Sequence, residues 1–325
     1  MVIADPTQQR CDDPEGRRPR LWLWLDPTSR CNLSCALCYT RESHGDQDLS
    51  PAALSRIIAN LKGLEREVEV ALVHLNWRGE PTLNPELPEL IRLVIRAFPR
   101  VPLHWHTNAC AVTEALAETL LGSTAPHKIY VSIDGGTERL HEGNRGHGSW
   151  VLALRGARHL LEVRRRLRAS HEIGLYQLEM GLAHDSYDED FLCIARACDE
   201  WVRVQPVLPR HGSDVVRLRS PGEHRLPPTS ASWGPCFWAG NAMCVGPNGD
   251  VSVCLLSHSR TGIVGNLLTE SSKAVWGRAR EFRARLQSLR RGDVTHCRAC
   301  QKPEGDAHSI HTAPPIVRLT HESPD

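Results

Sequence analysis

Leu21-Trp22-Leu23-Trp24-Leu25-Asp26-Pro27-Thr28-Ser29-Arg30-Cys31-Asn32-Leu33-Ser34-Cys35-Ala36-Leu37-Cys38-Tyr39 is the stretch from which the rest of the chain can be read. Its first five residues are bulky and apolar, the composition of a strand, and Asp26-Pro27-Thr28 stops them. The stop delivers a C-x-x-x-C-x-x-C loop to the carboxyl end of that strand. Closed iron–sulfur sites take four protein thiolates, so a three-thiolate loop leaves one iron of a four-iron cluster open to an outside ligand. Structural zinc is the competing reading. Zinc wants a closed tetrahedron, and His44, six residues beyond Cys38, is the only near candidate for its fourth corner.

Outward from this loop the chain alternates. Ser50-Pro51 reads as an N-cap with proline at the first helical position, and Leu54, Ile57, Ile58 and Leu61 predict an amphipathic helix over 51–62. Val68 to Leu75 reads as a strand, 86–98 as a helix, 102–107 as a strand and 113–121 as a helix. Lys128–Ile133, a basic helix over 149–168, a strand over 172–180, a helix over 187–200 and a strand Trp201–Val207 complete the series. Six strand–helix repeats with short loops predict an α/β fold, a partial (β/α)6 barrel over 21–207 with its active site at the carboxyl ends of the strands. Residues 1–20 read as a polar extension, 208–235 as a proline-bearing linker and 302–325 as a fraying tail.

Composition narrows the class. At 325 residues and a formal net charge of +1, nothing global points to a polyanion partner. The arginines at 155, 158, 164, 165, 166 and 168 suggest a nucleic-acid face, but a solvated helix surface is the default reading. No apolar stretch approaches the roughly 18 residues of a membrane span, and no export signal precedes the first strand. Of the twelve cysteines, seven stand at metal-like spacings, so a reducing cytoplasm is expected rather than a disulfide framework.

The second constellation is Cys236, Cys254, Cys297 and Cys300, within a second unit expected over 236–301. Four thiolates make a closed site, for which a zinc ribbon is the alternative. Between the first two, Val245 to Val253 carries Asn248-Gly249 flanked by alternating apolar residues, a hairpin signal, and a helix bearing Ala274, Val275, Trp276, Phe282 and Leu286 would cover it. Cys244, Cys110, Cys193 and Cys198 have no partner at ligand spacing. The last two are expected to be buried as small apolar side chains.

Taken together, these motifs resemble the radical S-adenosylmethionine (SAM) enzymes over about residues 21–301, and the second cysteine segment is similar to the twitch appendage, a shortened SPASM domain with one auxiliary four-iron cluster. The resemblance implies that the methionyl amino and carboxylate groups of SAM chelate the open iron held by Cys31, Cys35 and Cys38. An electron then cleaves SAM to a 5′-deoxyadenosyl radical that abstracts hydrogen from substrate. A flavodoxin or ferredoxin type electron donor is implied as well. Arg78-Gly79-Glu80-Pro81 sits where the family carries G-G-E-P, with arginine for the first glycine, so SAM contact falls to Gly79 and Glu80. Thr107-Asn108-Ala109 matches T-N-G, again one glycine short, and implicates Asn108. Ser132-Ile133-Asp134-Gly135 with His141 and Arg145-Gly146 is similar to the family's S-x-D-G segment; Ser132 is expected near the SAM ribose or carboxylate and Arg145 to neutralise that carboxylate. His104 and His106 share a strand face and suit solvation or a substrate hydrogen bond better than a metal. Gln205 and Arg210 stand at the end of the sixth strand, where they could touch substrate or form a polar rim.

Three enzyme readings compete. Oxidation of an alcohol on a small sugar or aminocyclitol is what the cysteine layout resembles most. Epimerisation, with Cys244 or Cys110 as hydrogen donor, is the runner-up. Maturation of a ribosomal peptide is the third, weakened by the short stretch before the first strand. A non-catalytic iron–sulfur or zinc protein is the reading from another class.

Overall fold

In a computed structural model the described residues are 18–38, 40–180, 186–204, 241–255 and 262–287; the expected linker, the tail, Gln205, Arg210 and Cys236, Cys297 and Cys300 lie outside them. Strands β1 (Arg20–Leu25), β2 (Glu69–His74), β3 (Leu103–Thr107), β4 (Lys128–Ser132), β5 (Glu172–Leu178) and β6 (Glu200–Val204) pair in parallel in sequence order. Helices α1 (Pro51–Lys62), α2 (Leu87–Ala97), α3 (Glu114–Ser123), α4 (Glu138–Arg145), α5 (Ser149–Leu167) and α6 (Glu189–Ala197) connect them. Ser50 caps α1 by accepting from Ala53 N–H, and Pro51 stands where no intrahelical donor is needed.

Alternation within each strand sorts the two faces. Leu21, Leu23 and Leu25 join Val73, Leu75, Ile129, Val131, Ile173 and Leu175 under the apolar stripes of the helices, including Leu54, Ile57 and Leu61 of α1. Each such side chain contributes roughly 1.5–3 kcal/mol when fully buried. Trp22 and Trp24 point to the opposite, inner face.

The described part of the expected C-terminal unit extends the barrel sheet. Strand β7 (Ala242–Val245) pairs in parallel with β1, matching Trp24 to Cys244, and continues antiparallel through β8 (Asp250–Ser252) to β9 (Ile263–Asn266), giving one nine-stranded sheet. Helix α7 (Ser272–Gln287) lays Val275, Trp276 and Ala279 on the same core as the barrel helices. Helix α4 was not foreseen. It has no apolar stripe, buries only His141 and Asn144, and owes its start to Thr137, which accepts from Leu140 N–H.

One further expectation needs revision. Cys193 is exposed, because α6 buries Phe191, Ile194 and Ala195 and position 193 falls off that stripe, whereas Cys198 is half-buried against the core. On α5, Arg158 pairs with Asp190, Arg164 with Asp199, and Arg166 with Glu114 and Glu118, so those charges are shared with neighbouring helices and turns rather than gathered into a basic face. No helix among the described residues is long and apolar enough to cross a membrane.

Candidate active site

The cysteine loop leaves the end of β1 under firm constraint. Thr28 Oγ1–H donates to Asp48 Oδ1 at 2.6 Å, and the Arg30 guanidinium grips the same carboxylate at 3.0 and 2.6 Å. On the far side Ala36 N–H donates to the Asn144 carbonyl (2.8 Å) and Leu37 N–H to Asn144 Oδ1 (2.9 Å), so the end of α4 anchors the loop. Asn108 after β3 donates to Asn32 Oδ1 at 2.8 Å. All three thiols are half-buried. Burial pushes Cys31 up to about 12, with Glu80 and the other two thiols adding to it, and burial raises Cys35 likewise. Cys38 goes the other way: burial works against the thiolate, but His44 and Thr40 beside it outweigh that and bring it down. Among the described residues no three His, Cys, Asp or Glu side chains converge on a single ion. Three thiols on one loop within electrostatic reach of one another fit a cluster, which takes one thiolate per iron.

Glu80 faces this loop from the turn after β2. It is 3% exposed, and its carboxylate accepts from Thr82 Oγ1–H (2.6 Å), Thr82 N–H (3.2 Å), Thr107 Oγ1–H (2.7 Å) and Asn108 N–H (2.7 Å). Burial raises it above the usual carboxylate range despite these donors. Gly79 is there for space: a Cβ would stand 2.2 Å from the Thr28 carbonyl oxygen and 2.4 Å from that of Arg30. Arg78, in place of the family's glycine, has a local reason. Its Nε–H donates to Asp26 Oδ2 at 2.8 Å, and Asp26 is fully buried, its carboxyl pushed up to about 6 by burial even against the guanidinium.

At the end of β4 the charges are again internal. Asp134 accepts from Arg145 Nε–H (2.6 Å) and Nη2–H (3.1 Å), from Asn144 Nδ2–H (2.7 Å) and from Leu178 N–H (3.2 Å). Burial opposes its ionisation, but Arg145 prevails and holds it below the ordinary value. The guanidinium of Arg145, expected from sequence to neutralise the SAM carboxylate, is thus bonded through Nε and Nη2 to Asp134. Burial and the nearby Arg145 push His141 down to about 4, and its Nδ1 accepts from Asp134 N–H at 3.1 Å. Ser132 is buried two positions earlier, beside Tyr176 in register. Ala109 stands at φ +59°, a left-handed position that explains the family's glycine, and Gly156 of α5 makes room for it: a Cβ there would meet the Ala109 carbonyl at 2.0 Å.

The inner wall of the sheet was missed by motif reading. Trp24 stacks on His74 (ring centroids 4.6 Å), His74 meets His104 and His106, His106 stacks on Tyr130 (4.8 Å), and Tyr176 meets His106 edge-on at 4.8 Å. Period-two alternation of Trp, His and Tyr along β1 to β5 was the available signal. At the foot of the wall Lys128 is held by Glu200 at 2.5 Å and Glu172 at 3.1 Å.

Cys110 and Cys244 occupy different places. Cys110 is half-buried beyond β3, within electrostatic reach of Glu80, Arg145 and Cys35, and burial takes its thiol up to about 11. Cys244 is fully buried among Trp22, Trp24, Trp77, Ala242 and Leu255, and burial holds it well above the ordinary thiol value. Cys254 of the second constellation lies two residues beyond β8 and is half-buried.

Against known proteins, residues 25–176 match the model of the radical SAM superfamily and residues 236–301 that of an iron–sulfur cluster-binding domain, SPASM. The chain is 25% identical over 301 residues to the mycofactocin maturase MftC of Mycobacterium ulcerans, covering 85% of this chain and 79% of that protein. Among solved structures it resembles BtrN in complex with AdoMet and 2-DOIA (TM-score 0.51, 18% identity, 86% of this chain and 92% of that one). It also resembles SuiB of Streptococcus suis bound to the precursor peptide SuiA (TM-score 0.58, 13% identity, 87% of this chain and 71% of that one).

Proposed function

Since the chain belongs to the radical SAM superfamily and carries a SPASM iron–sulfur domain, we propose that it oxidises a carbon of a peptide substrate held against the inner wall of β1 to β5. The observation that carries this reading is the wall itself. His104, His106, Tyr130 and Tyr176 offer half-buried rings, while on this face Asp26 and Asp134 are each paired with an arginine and Glu172 and Glu200 share Lys128. Such a ring-lined surface suits a neutral or aromatic side chain. The maturase relative and the peptide-bound neighbour point the same way.

Cys31, Cys35 and Cys38 would hold the SAM cluster, and Cys254 with Cys236, Cys297 and Cys300 the auxiliary one, of twitch type. When bound, the first cluster and SAM would supply the radical that abstracts one hydrogen atom, and the auxiliary cluster would take the second electron as the substrate releases a proton. The chain's own part is placement. Glu80 would accept from the SAM amino group through Oε2, which has one protein donor against three on Oε1. The Gly79 backbone lines that contact and Asn108 steadies the cluster loop. Arg145, with Nε and Nη2 committed to Asp134, would offer its remaining Nη1 to the SAM carboxylate, with Ser132 beside it. The aromatic wall excludes water from the reacting carbon.

Oxidation of a small polyhydroxylated molecule is the second reading, favoured by the coverage of the BtrN fold. Epimerisation has its own support, because burial keeps Cys110 and Cys244 as thiols, the form a hydrogen donor needs. The test is 5′-deoxyadenosine release by the anaerobically reconstituted protein, with synthetic peptides against sugars and aminocyclitols. Peptide-dependent release, with a product lighter by one hydrogen molecule, is expected. Release driven only by sugars or aminocyclitols, or solvent deuterium in a product of unchanged mass otherwise, would overturn the peptide oxidation reading.

A further inference from the structure

Trp77 stands immediately before the Arg78-Gly79-Glu80 turn, yet its side chain leaves that turn and reaches the C-terminal strands. It is 5% exposed, and its Nε1–H donates to the Leu255 carbonyl at 2.9 Å. Leu255 follows Cys254. Within that turn Cys254 N–H donates to Ser252 Oγ (3.2 Å) and Ser252 Oγ–H donates back to the Cys254 carbonyl (3.0 Å), so the ligand's own peptide groups are satisfied locally. The bond from Trp77 then ties the next carbonyl to the barrel.

The joint is reinforced from both sides. The Arg78 guanidinium lies over the Trp77 ring at 4.8 Å and reaches Asp26, whose N–H donates to the Val245 carbonyl at 2.9 Å. Around the indole are Trp22, Trp24, Ala242, Cys244 and Leu255, an apolar setting in which one hydrogen bond is electrostatically strong. A peptide dipole pinned beside a cluster thiolate is one of the means by which a protein tunes the cluster.

We propose that Trp77 is a positioning residue that clamps the Cys254–Leu255 turn to the SAM-binding turn, so that the electronic environment of the auxiliary cluster depends on the Trp77 N–H. This role rests on Cys254 being an auxiliary-cluster ligand; the iron content of the parent protein tests that premise separately. The full chain with Cys31, Cys35 and Cys38 changed to Ala isolates the auxiliary signal. In it, Trp77→Phe removes the donor and keeps a ring, while Trp77→His keeps a ring N–H. Both are compared with the parent by electron paramagnetic resonance and redox titration under anaerobic conditions. The expected result is altered g-values and a shifted midpoint potential for Trp77→Phe at unchanged iron, with Trp77→His closer to the parent. Loss of auxiliary iron from Trp77→Phe alone would support the clamp as well. Spectra unchanged in both, equal shifts in both, or loss of iron from both variants would make Trp77 a plain core residue and overturn the proposal.

Discussion

Changing Arg78 to glycine restores the family's motif and should nevertheless damage this protein. Asp26 is fully buried, the Arg78 side chain is only 15% exposed, and the Nε–Oδ2 bond is 2.8 Å. Removing one partner of a buried pair costs about 3–5 kcal/mol, because the other charge is left uncompensated. Backbone N–H donation from position 78 to Asp26 survives the substitution, which argues for the lower end, about 3 kcal/mol. At roughly 2.1 cal/mol/K of unfolding entropy per residue, a chain of this length would lose about 4 °C in Tm. The pH dependence has a definite sign. Burial already raises Asp26 to about 6, and loss of the guanidinium raises it further. A carboxyl with a raised folded pKa is destabilising above that pKa and is relieved as pH falls, so the deficit should shrink between about pH 7.5 and about pH 5.5. Thermal unfolding of the reconstituted variant, with Arg78→Gly/Asp26→Asn as the closing corner of the cycle, measures this. A deficit below about 1 kcal/mol, independent of pH and not recovered by the double variant, would refute the assignment of the pair.

Three other outcomes follow from the site. Glu80→Gln replaces a charged acceptor by an amide, so SAM affinity should fall about 10–100-fold, the size of a charge-assisted hydrogen bond, while both clusters load; equilibrium binding of SAM checks it. Ala109→Gly relieves a left-handed alanine at φ +59° but gives up a fully buried methyl and adds the entropic cost of glycine, so Tm should stay within about 1 °C of the parent, where alanine-to-glycine changes elsewhere in the core lower it. Burial holds His127 down to about 4. The unfolded chain takes up a proton below its own pKa of about 6.5, so this contribution is intact above that pH and is lost, up to about 3 kcal/mol, as pH falls toward 4. His127→Phe should flatten that part of the stability profile in urea titrations.

Local pattern carried far in this chain, and its limit is visible at particular residues. Leu21 to Leu25, the Ser50-Pro51 cap and the Leu54, Ile57, Ile58, Leu61 stripe express short-range rules and place β1 and α1 within a residue or two, whereas the helix expected over 187–200 ends at Ala197. The cysteine spacings likewise declare their chemistry without a fold. What stayed hidden depends on distant partners. Nothing near Arg78 announces Asp26, and nothing near Arg145 says that Asp134 occupies two of its nitrogens. Helix α4 carries no periodic apolar signal, because it is held by Thr137 and by Asn144 rather than by a greasy face. The π-rich wall was legible only as alternation, since His104 and His106 acquire meaning from Tyr130 and Tyr176 on neighbouring strands.

The parallel pairing of β7 with β1 also sets a schedule for synthesis. β1 leaves the ribosome well before its second neighbour, which lies some 220 residues downstream, about 10–40 s later at ordinary elongation rates. For that interval Trp22 and Trp24 belong to an open sheet edge, and the nascent barrel has one side on which a stray strand could dock. Truncation after β6 would make that interval permanent. A shortened chain ending there should collect in aggregates even though every barrel strand and the whole Cys31–Cys38 loop are present.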